Sequence, residues 1–208
     1  MNTKVSLFIS AILMAHSASA QVTTDIWDVA QGTVVLSSSG GFALNNIFGA
    51  QDFHPEPGNA TFSDNQPAGF THFIEWTTPS LISLTGFRFY TFDDGSANAG
   101  DRGITQFRLY SRPDSASAFS LINTYNAPTT HPYGTLDVPV TFGTPIMAKE
   151  FRAEFDQYAP SSFPGPRVQE LDGFGTVVPE PASGILLLLG AALCSRRRSL
   201  RTHERIAS

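Results

Sequence analysis

The sequence predicts an all-β protein folded as an antiparallel β-sandwich, from three observations. Apolar residues recur with period two over short segments. Clusters of Gly, Pro, Asn and Asp separate those segments. No amphipathic helix of ordinary length interrupts them. A chain of 208 residues fits one such domain plus targeting segments.

Met1 to Ala20 has the parts of a secretory signal peptide: Lys4 as the charged start, Val5 to Met14 as the apolar run, and Ala18-Ser19-Ala20 as a small-residue cleavage site. Cutting after Ala20 leaves Gln21 first. No cysteine sits at the cut, which excludes a lipoprotein signal.

Residues 21–175 are the expected sandwich domain. In Thr71 to Trp76, residues His72, Ile74 and Trp76 share one face. In Gly86 to Phe92, Phe87 and Phe89 oppose Arg88 and Tyr90. In Ile104 to Tyr110, Phe107 and Leu109 oppose Arg108 and Tyr110. Leu136, Val138, Val140 and Phe142 alternate. In Glu150 to Asp156 the pattern puts Phe151, Ala153 and Phe155 inward, and Glu150, Arg152, Glu154 and Asp156 outward to solvent. Trp76 and Tyr90 read as core or sheet-face residues. Arg102, Arg108 and Arg152 read as structural partners of strand carboxylates. Two stretches read as loops: Gly49 to Gly69, polar and rich in Pro and Gly, and Asp93 to Asp101.

Between Gln21 and Pro181 there are 7 basic and 17 acidic residues, a net charge of −10, against −5 for the whole chain. Such a domain is a poor nucleic-acid binder. The one cysteine, Cys194, lies beyond it, so the domain holds no disulfide and its stability comes from packing. The chain's 17 phenylalanines supply that packing.

Residues 176–208 carry a third kind of pattern. Val178-Pro179-Glu180-Pro181 is held extended by its two prolines. Ala182 to Cys194 is an apolar run of 13 residues, a membrane helix of about 20 Å. Arg196, Arg197 and Arg198 follow as a basic membrane anchor in the tail 195–208. The run is shorter than the roughly 20 residues that usually span a bilayer, a mismatch that arginine snorkelling and local thinning offset. This order of parts resembles the PEP-CTERM sorting signal. The resemblance implies a bacterial surface protein handled by an exosortase, a membrane-embedded cysteine transpeptidase that cuts near the motif. The chain would then be held in the membrane by its C-terminus before processing, and would end at the cell surface or in the extracellular matrix. Ser199 to Ser208 is a longer tail than such signals usually leave.

Within the domain, four segments resemble discoidin (coagulation factor 5/8 C-terminal type) domains. They are Gln106 to Asp114 with Phe119, Phe142 to Phe155, Val168 to Gly175, and Thr71 to Trp76 followed by Pro79. The resemblance covers Gly41 to Gly175. It implies an eight-stranded jelly roll of the galactose-binding-like type, a fold that mostly binds glycans, lipids or proteins. The ligand does not follow from the fold.

Catalytic signatures are missing from the sequence. His54, His72 and His131 have no zinc spacing, and no Gly-x-Ser-x-Gly elbow occurs. Asp93-Asp94 are adjacent turn carboxylates rather than an acid–base pair. With Asp101 they form an oxygen-rich segment suited to calcium, although it does not match an EF-hand. The long loop offers Phe53, His54 and Phe62 as flat faces and Asp52, Asp64 and Asn65 as hydrogen-bonding groups, the combination a sugar needs. The expectation is therefore a non-catalytic binder of a neutral glycan or exopolysaccharide. The alternatives are a small secreted hydrolase and a structural matrix protein without a small ligand.

Overall fold

A computed structural model describes residues 25–49, 60–67, 69–91, 102–127, 136–158 and 165–179. Among these residues, eight strands form: β1 Val34–Ser38, β2 Gly41–Phe42, β3 Ala60–Phe62, β4 Thr71–Thr91, β5 Ile104–Arg112, β6 Ser120–Asn126, β7 Leu136–Gln157 and β8 Arg167–Val177. Two short 3-10 turns, Val29–Gln31 and Leu44–Phe48, accompany them.

The two longest strands, β4 and β7, make the sandwich. The first half of β4 pairs with the last third of β7, from Thr71↔Asp156 to Thr77↔Glu150. Its second half pairs with the start of β7, from Ile82↔Ala148 to Thr91↔Leu136. The ladder breaks between Thr77 and Ile82 and again between Leu84 and Gly86. At the first break both strands pass from one layer to the other; the second lies within one layer. One layer runs β1, β4 (71–77), β7 (150–157), β5, β6. The other runs β7 (136–148), β4 (82–91), β8, β3, β2. Every pairing is antiparallel, as the alternation requires.

The breaks also explain a change of phase. Along β4 the buried residues are His72, Ile74, Trp76, Ile82 and Leu84, then Phe87 and Phe89. The extra residue at Thr85 shifts the inward set from even to odd numbers, which is what a bulge does. Phe89 then stacks on Phe107 at 4.3 Å across the layers, and Phe155 meets both Phe107 (5.2 Å) and Phe62 (5.4 Å). Trp27 closes the other end of the core against Trp76 and Phe151, each at 5.0 Å. Only a glycine at 173 allows this, because a Cβ there would lie 2.4 Å from the Trp27 ring. Each such fully buried aromatic contributes roughly 1.5–3 kcal/mol by leaving water.

Two expectations need correction here. Ala60–Phe62, inside the segment read as a long loop, is strand β3, paired through Ala60↔Val168 and Thr61↔Arg167. Glu150 and Glu154 do not stand free in solvent. Glu150 is buried (9% exposed) under Arg112, whose Nε donates to it at 2.7 Å. Glu154 accepts from Arg108 Nε (2.9 Å), Arg152 Nε (2.9 Å) and Tyr110 Oη (3.1 Å). The outer face of this layer is a ladder of opposite charges, because three neighbouring strands place acids and arginines side by side. Burial pushes the Glu154 carboxyl up, but the donors around it outweigh that and hold it below the ordinary glutamate range.

Residues 1–20 and 182–194, expected as signal peptide and membrane helix, lie outside the described residues. The described chain continues past the expected domain end at 175, since β8 runs to Val177 and the Val178 amide donates to Leu81 O at 2.9 Å.

Candidate functional site

The strand register gathers one set of strand ends together: Thr71 and Asp156, Ile104 and Gln157, Gln106 and Asn126, Thr91 and Leu136. A groove of about 430 Å³ opens at this end. Ile104, Thr105 and Gln106 from the start of β5 form one wall. Asn126 and Ala127 from the end of β6 form a second, and Asp156 and Tyr158 at the end of β7 complete it. Three strand ends therefore build the site, which is where sandwich folds carry variable groups.

Alternation along β7 sets the orientation of these groups. Phe155 and Gln157 point into the core, so Asp156 and Tyr158 face outward. Tyr158 is 39% exposed at the rim, and its amide donates to Gly103 O at 3.1 Å. Asp156 takes a two-pronged bond from Arg108, Nη1 and Nη2 each at 2.8 Å, and a bond from Thr71 Oγ1 at 2.7 Å. Burial raises this carboxyl's pKa, but the Arg108 and Thr71 hydrogen bonds lower it more, so it stays ionised at neutral pH. Arg108 also donates to Gln106 Oε1, and Gln106 Nε2 donates to Asn126 Oδ1 at 2.7 Å. The Asn126 NH₂ group is thereby turned away from Gln106. The groove thus combines an aromatic ring, two amides, a hydroxyl and a held carboxylate. These groups can accept a polyol ring and bind its hydroxyls; they do not form a nucleophile–base pair.

The sequence-predicted site residues fall elsewhere. Phe62 is 1% exposed, and its alternation with Thr61 turns it into the core, so it cannot serve as a sugar platform. Asp64 is not among the residues that line the groove. It binds Arg102 Nη1 at 2.8 Å and the Gly165 amide at 3.1 Å, tying two chain segments together. Asn65 is exposed in a left-handed turn (φ 66°), a conformation asparagine tolerates. Asp52, Phe53, His54, Asp93, Asp94 and Asp101 lie outside the described residues. So do Glu180, Pro181 and Arg196 to Arg198, while Val178 is half-buried and Pro179 exposed. Arg102, Arg108 and Arg152 are structural, bound to Asp64, to Glu154 and Asp156, and to Glu75 and Glu154. Trp76 and Tyr90 are core.

A second cluster was not anticipated. Asp25, Glu170 and Asp172 bring carboxylate oxygens within 4.8 Å of one another. Asp25 Oδ1 accepts from the Trp27 and Gly173 amides, each at 2.8 Å, pinning the segment before Trp27 to β8. Burial above all, with the charges of Asp172 and Asp28, pushes the Asp25 carboxyl up to about 7 despite those two amide bonds. Three carboxylate oxygens this close are a donor set that a hard cation takes.

No protein-family model matches the chain, and no curated protein matches it. Solved structures do resemble it. The family 32 carbohydrate-binding module of Streptococcus pneumoniae EndoD superposes with a TM-score of 0.51 at 15% identity, over 73% of this chain and 99% of that one. The family 32 module of C. perfringens NanJ, solved in complex with galactose, gives a TM-score of 0.50 at 14% identity, over 73% and 98%. Allantoicase from Saccharomyces cerevisiae gives 0.54 at 10% identity, over 79% of this chain and 51% of that one. At these identities the likeness establishes the fold alone: an antiparallel β-sandwich like that of these family 32 carbohydrate-binding modules.

Proposed function

We propose that this chain is an exported, non-catalytic glycan-binding module, and that its site is the groove bounded by Gln106, Asn126, Asp156 and Tyr158. The observation that carries the proposal is the pairing, in one groove, of an exposed tyrosine with oriented amides and a carboxylate. The tyrosine ring offers a plane for the C–H face of a sugar, and the polar groups meet its hydroxyls. The one lining carboxylate, Asp156, is paired with Arg108, so the groove presents no net charge and suits a neutral glycan. Two similar structures are modules named for carbohydrate binding, one of them solved with galactose.

Export rests on the residue pattern of 1–20, and sorting by an exosortase on Val178 to Pro181, the apolar run and Arg196 to Arg198. The protein would then work at the cell surface or in the extracellular matrix. Glycan-array binding of the chain, with and without calcium, tests the ligand. Retention of at least one neutral glycan supports the proposal, and no retention on any array member in either condition rejects it. The calcium arm reads out the expected role of Asp93, Asp94 and Asp101.

The hydrolase reading has one observation behind it, the raised pKa of Asp25 beside Glu170 and Asp172. Such a shift is a mark of acid–base sites. Glu170 and Asp172, however, are only 6% and 5% exposed, out of reach of a glycosidic bond. The binding reading is the better supported.

A further inference from the structure

At the groove end of the sandwich, His72 is fully buried (0% exposed). The ring of Phe70 lies 4.8 Å from it and that of Phe62 5.3 Å. Its hydrogen bonds fix its tautomer. Gln157 spends its NH₂ group on the carbonyls of Gln66 (2.7 Å) and Pro67 (3.1 Å). Its oxygen is therefore the atom facing His72 Nε2 at 3.0 Å. An amide oxygen only accepts, so Nε2 carries the hydrogen. Nδ1 then keeps its lone pair, 3.5 Å from Ser39 Oγ, and that hydroxyl already accepts from the Phe73 amide at 3.0 Å.

This makes a chain of contacts from His72 to Gln157 to Gln66 and Pro67. The backbone reinforces it: Gly69 N donates to Gln157 O at 3.0 Å, and Gln157 N to Phe70 O at 2.9 Å. Gln157 stands between Asp156 and Tyr158, two of the groove's lining residues. His72 thus fixes the Gln157 side chain, which holds Gln66, Pro67 and the strand end that presents Tyr158.

We propose that His72 is a positioning residue for the groove whose buried place disfavours the charged ring, so that acidification loosens the contacts of Gln66, Pro67, Gly69 and Phe70 with Gln157 and weakens ligand binding. The inference rests on the groove being the glycan site. A second proton would put a full charge between two phenyl rings, with Ser39 Oγ as its nearest new acceptor. Asp64 is the charged group that favours the cation, but its carboxylate is committed to Arg102 and the Gly165 amide. Burial prevails over Asp64 and Gln157 and holds the imidazole below its ordinary value. A state that bares the ring binds the proton more readily, so low pH favours that state. The least costly way to bare it is to release those contacts rather than open the sheet.

Amide hydrogen exchange of the full chain at pH 7.5 and pH 5.0, corrected for intrinsic rates, tests this. Protection of Gly69 and Gln157 should fall at pH 5.0 relative to strand amides of Ile74 and Trp76, by up to about thirtyfold for a buried ring that stays neutral. In His72→Gln, which keeps a donor toward Gln157 and cannot take the proton, protection should not change with pH. If that variant does not fold, ring ¹⁵N spectra of the wild type serve instead. They should show the Nε2–H tautomer at pH 7.5 and a titration midpoint below the ordinary histidine value, with protection lost as pH falls toward it. Constant protection in the wild type, an Nδ1–H tautomer, or a fall shared by His72→Gln would each overturn the proposal. Lost protection with no glycan bound at either pH would keep the switch and reject the glycan reading. A glycan bound equally well at both pH values would do the reverse.

Discussion

Replacing Phe155 with alanine should cost about 3–5 kcal/mol, the range for a buried phenylalanine truncated where its surroundings cannot collapse. The site meets that condition. Phe155 is 0% exposed and sits between Phe107 of its own layer and Phe62 of the facing one, at 5.2 and 5.4 Å. Both neighbours are held on strands, β5 and β3, so neither can swing into the space left behind. Against a typical domain stability of about 5–15 kcal/mol, that loss is a third or more of the total. Urea melts followed by tryptophan fluorescence measure it: the midpoint should drop sharply while the slope stays constant. A loss below about 1.5 kcal/mol would refute the reasoning, because it would mean that β3 does not pack against β7.

Glu154→Ala should cost about 1–2 kcal/mol, more than an ordinary surface change, since it strips Arg108, Arg152 and Tyr110 of a shared acceptor at 15% side-chain exposure. A melt within about 0.5 kcal/mol of wild type would show the charge ladder to be inert. Asp25→Asn should stabilise the protein at alkaline pH. The folded carboxyl, at about 7, binds its proton more tightly than the unfolded one at 3.8. Its contribution is complete below about 3.8 and is lost as pH rises through about 7. The variant's advantage should therefore grow between pH 4 and 8, and an advantage independent of pH would contradict the assignment. Intact mass of surface-extracted protein should show Gln21 at the N-terminus and an end near Pro179 to Pro181 in cells carrying an exosortase. Arg196 to Ser208 still attached to the mature surface form would reject the sorting reading.

Much of the sandwich was legible because its central strands are long enough for period two to stand out. His72, Ile74 and Trp76, then Phe107 and Leu109, then Phe151, Ala153 and Phe155 all point inward as the alternation implies. What stayed hidden has physical causes. Thr61 and Phe62 lie in a strand of three residues, too short for a period, within a Pro- and Gly-rich stretch. Trp27 belongs to no periodic segment and enters the core only because Gly173, far off in sequence, leaves room for its ring. Glu150 reads as an outward residue and is one; its burial comes from Arg112 on the adjacent strand, which one strand's pattern cannot reveal. The groove is harder still, since Gln106, Asn126, Asp156 and Tyr158 meet only through strand register. One signal was available: Tyr158 is an aromatic residue that ends the clearest alternating strand, just before Ala159-Pro160.

The most direct test of a glycan site in this groove is calorimetric titration of wild type and Tyr158→Ala with a neutral glycan retained on the array. Removing a stacking ring should cost about 1–2 kcal/mol, a loss of roughly five- to thirtyfold in affinity, with the urea melt unchanged because Tyr158 lies at the rim. Equal affinities for the two proteins, with both folded, would show that this groove is not where the glycan binds.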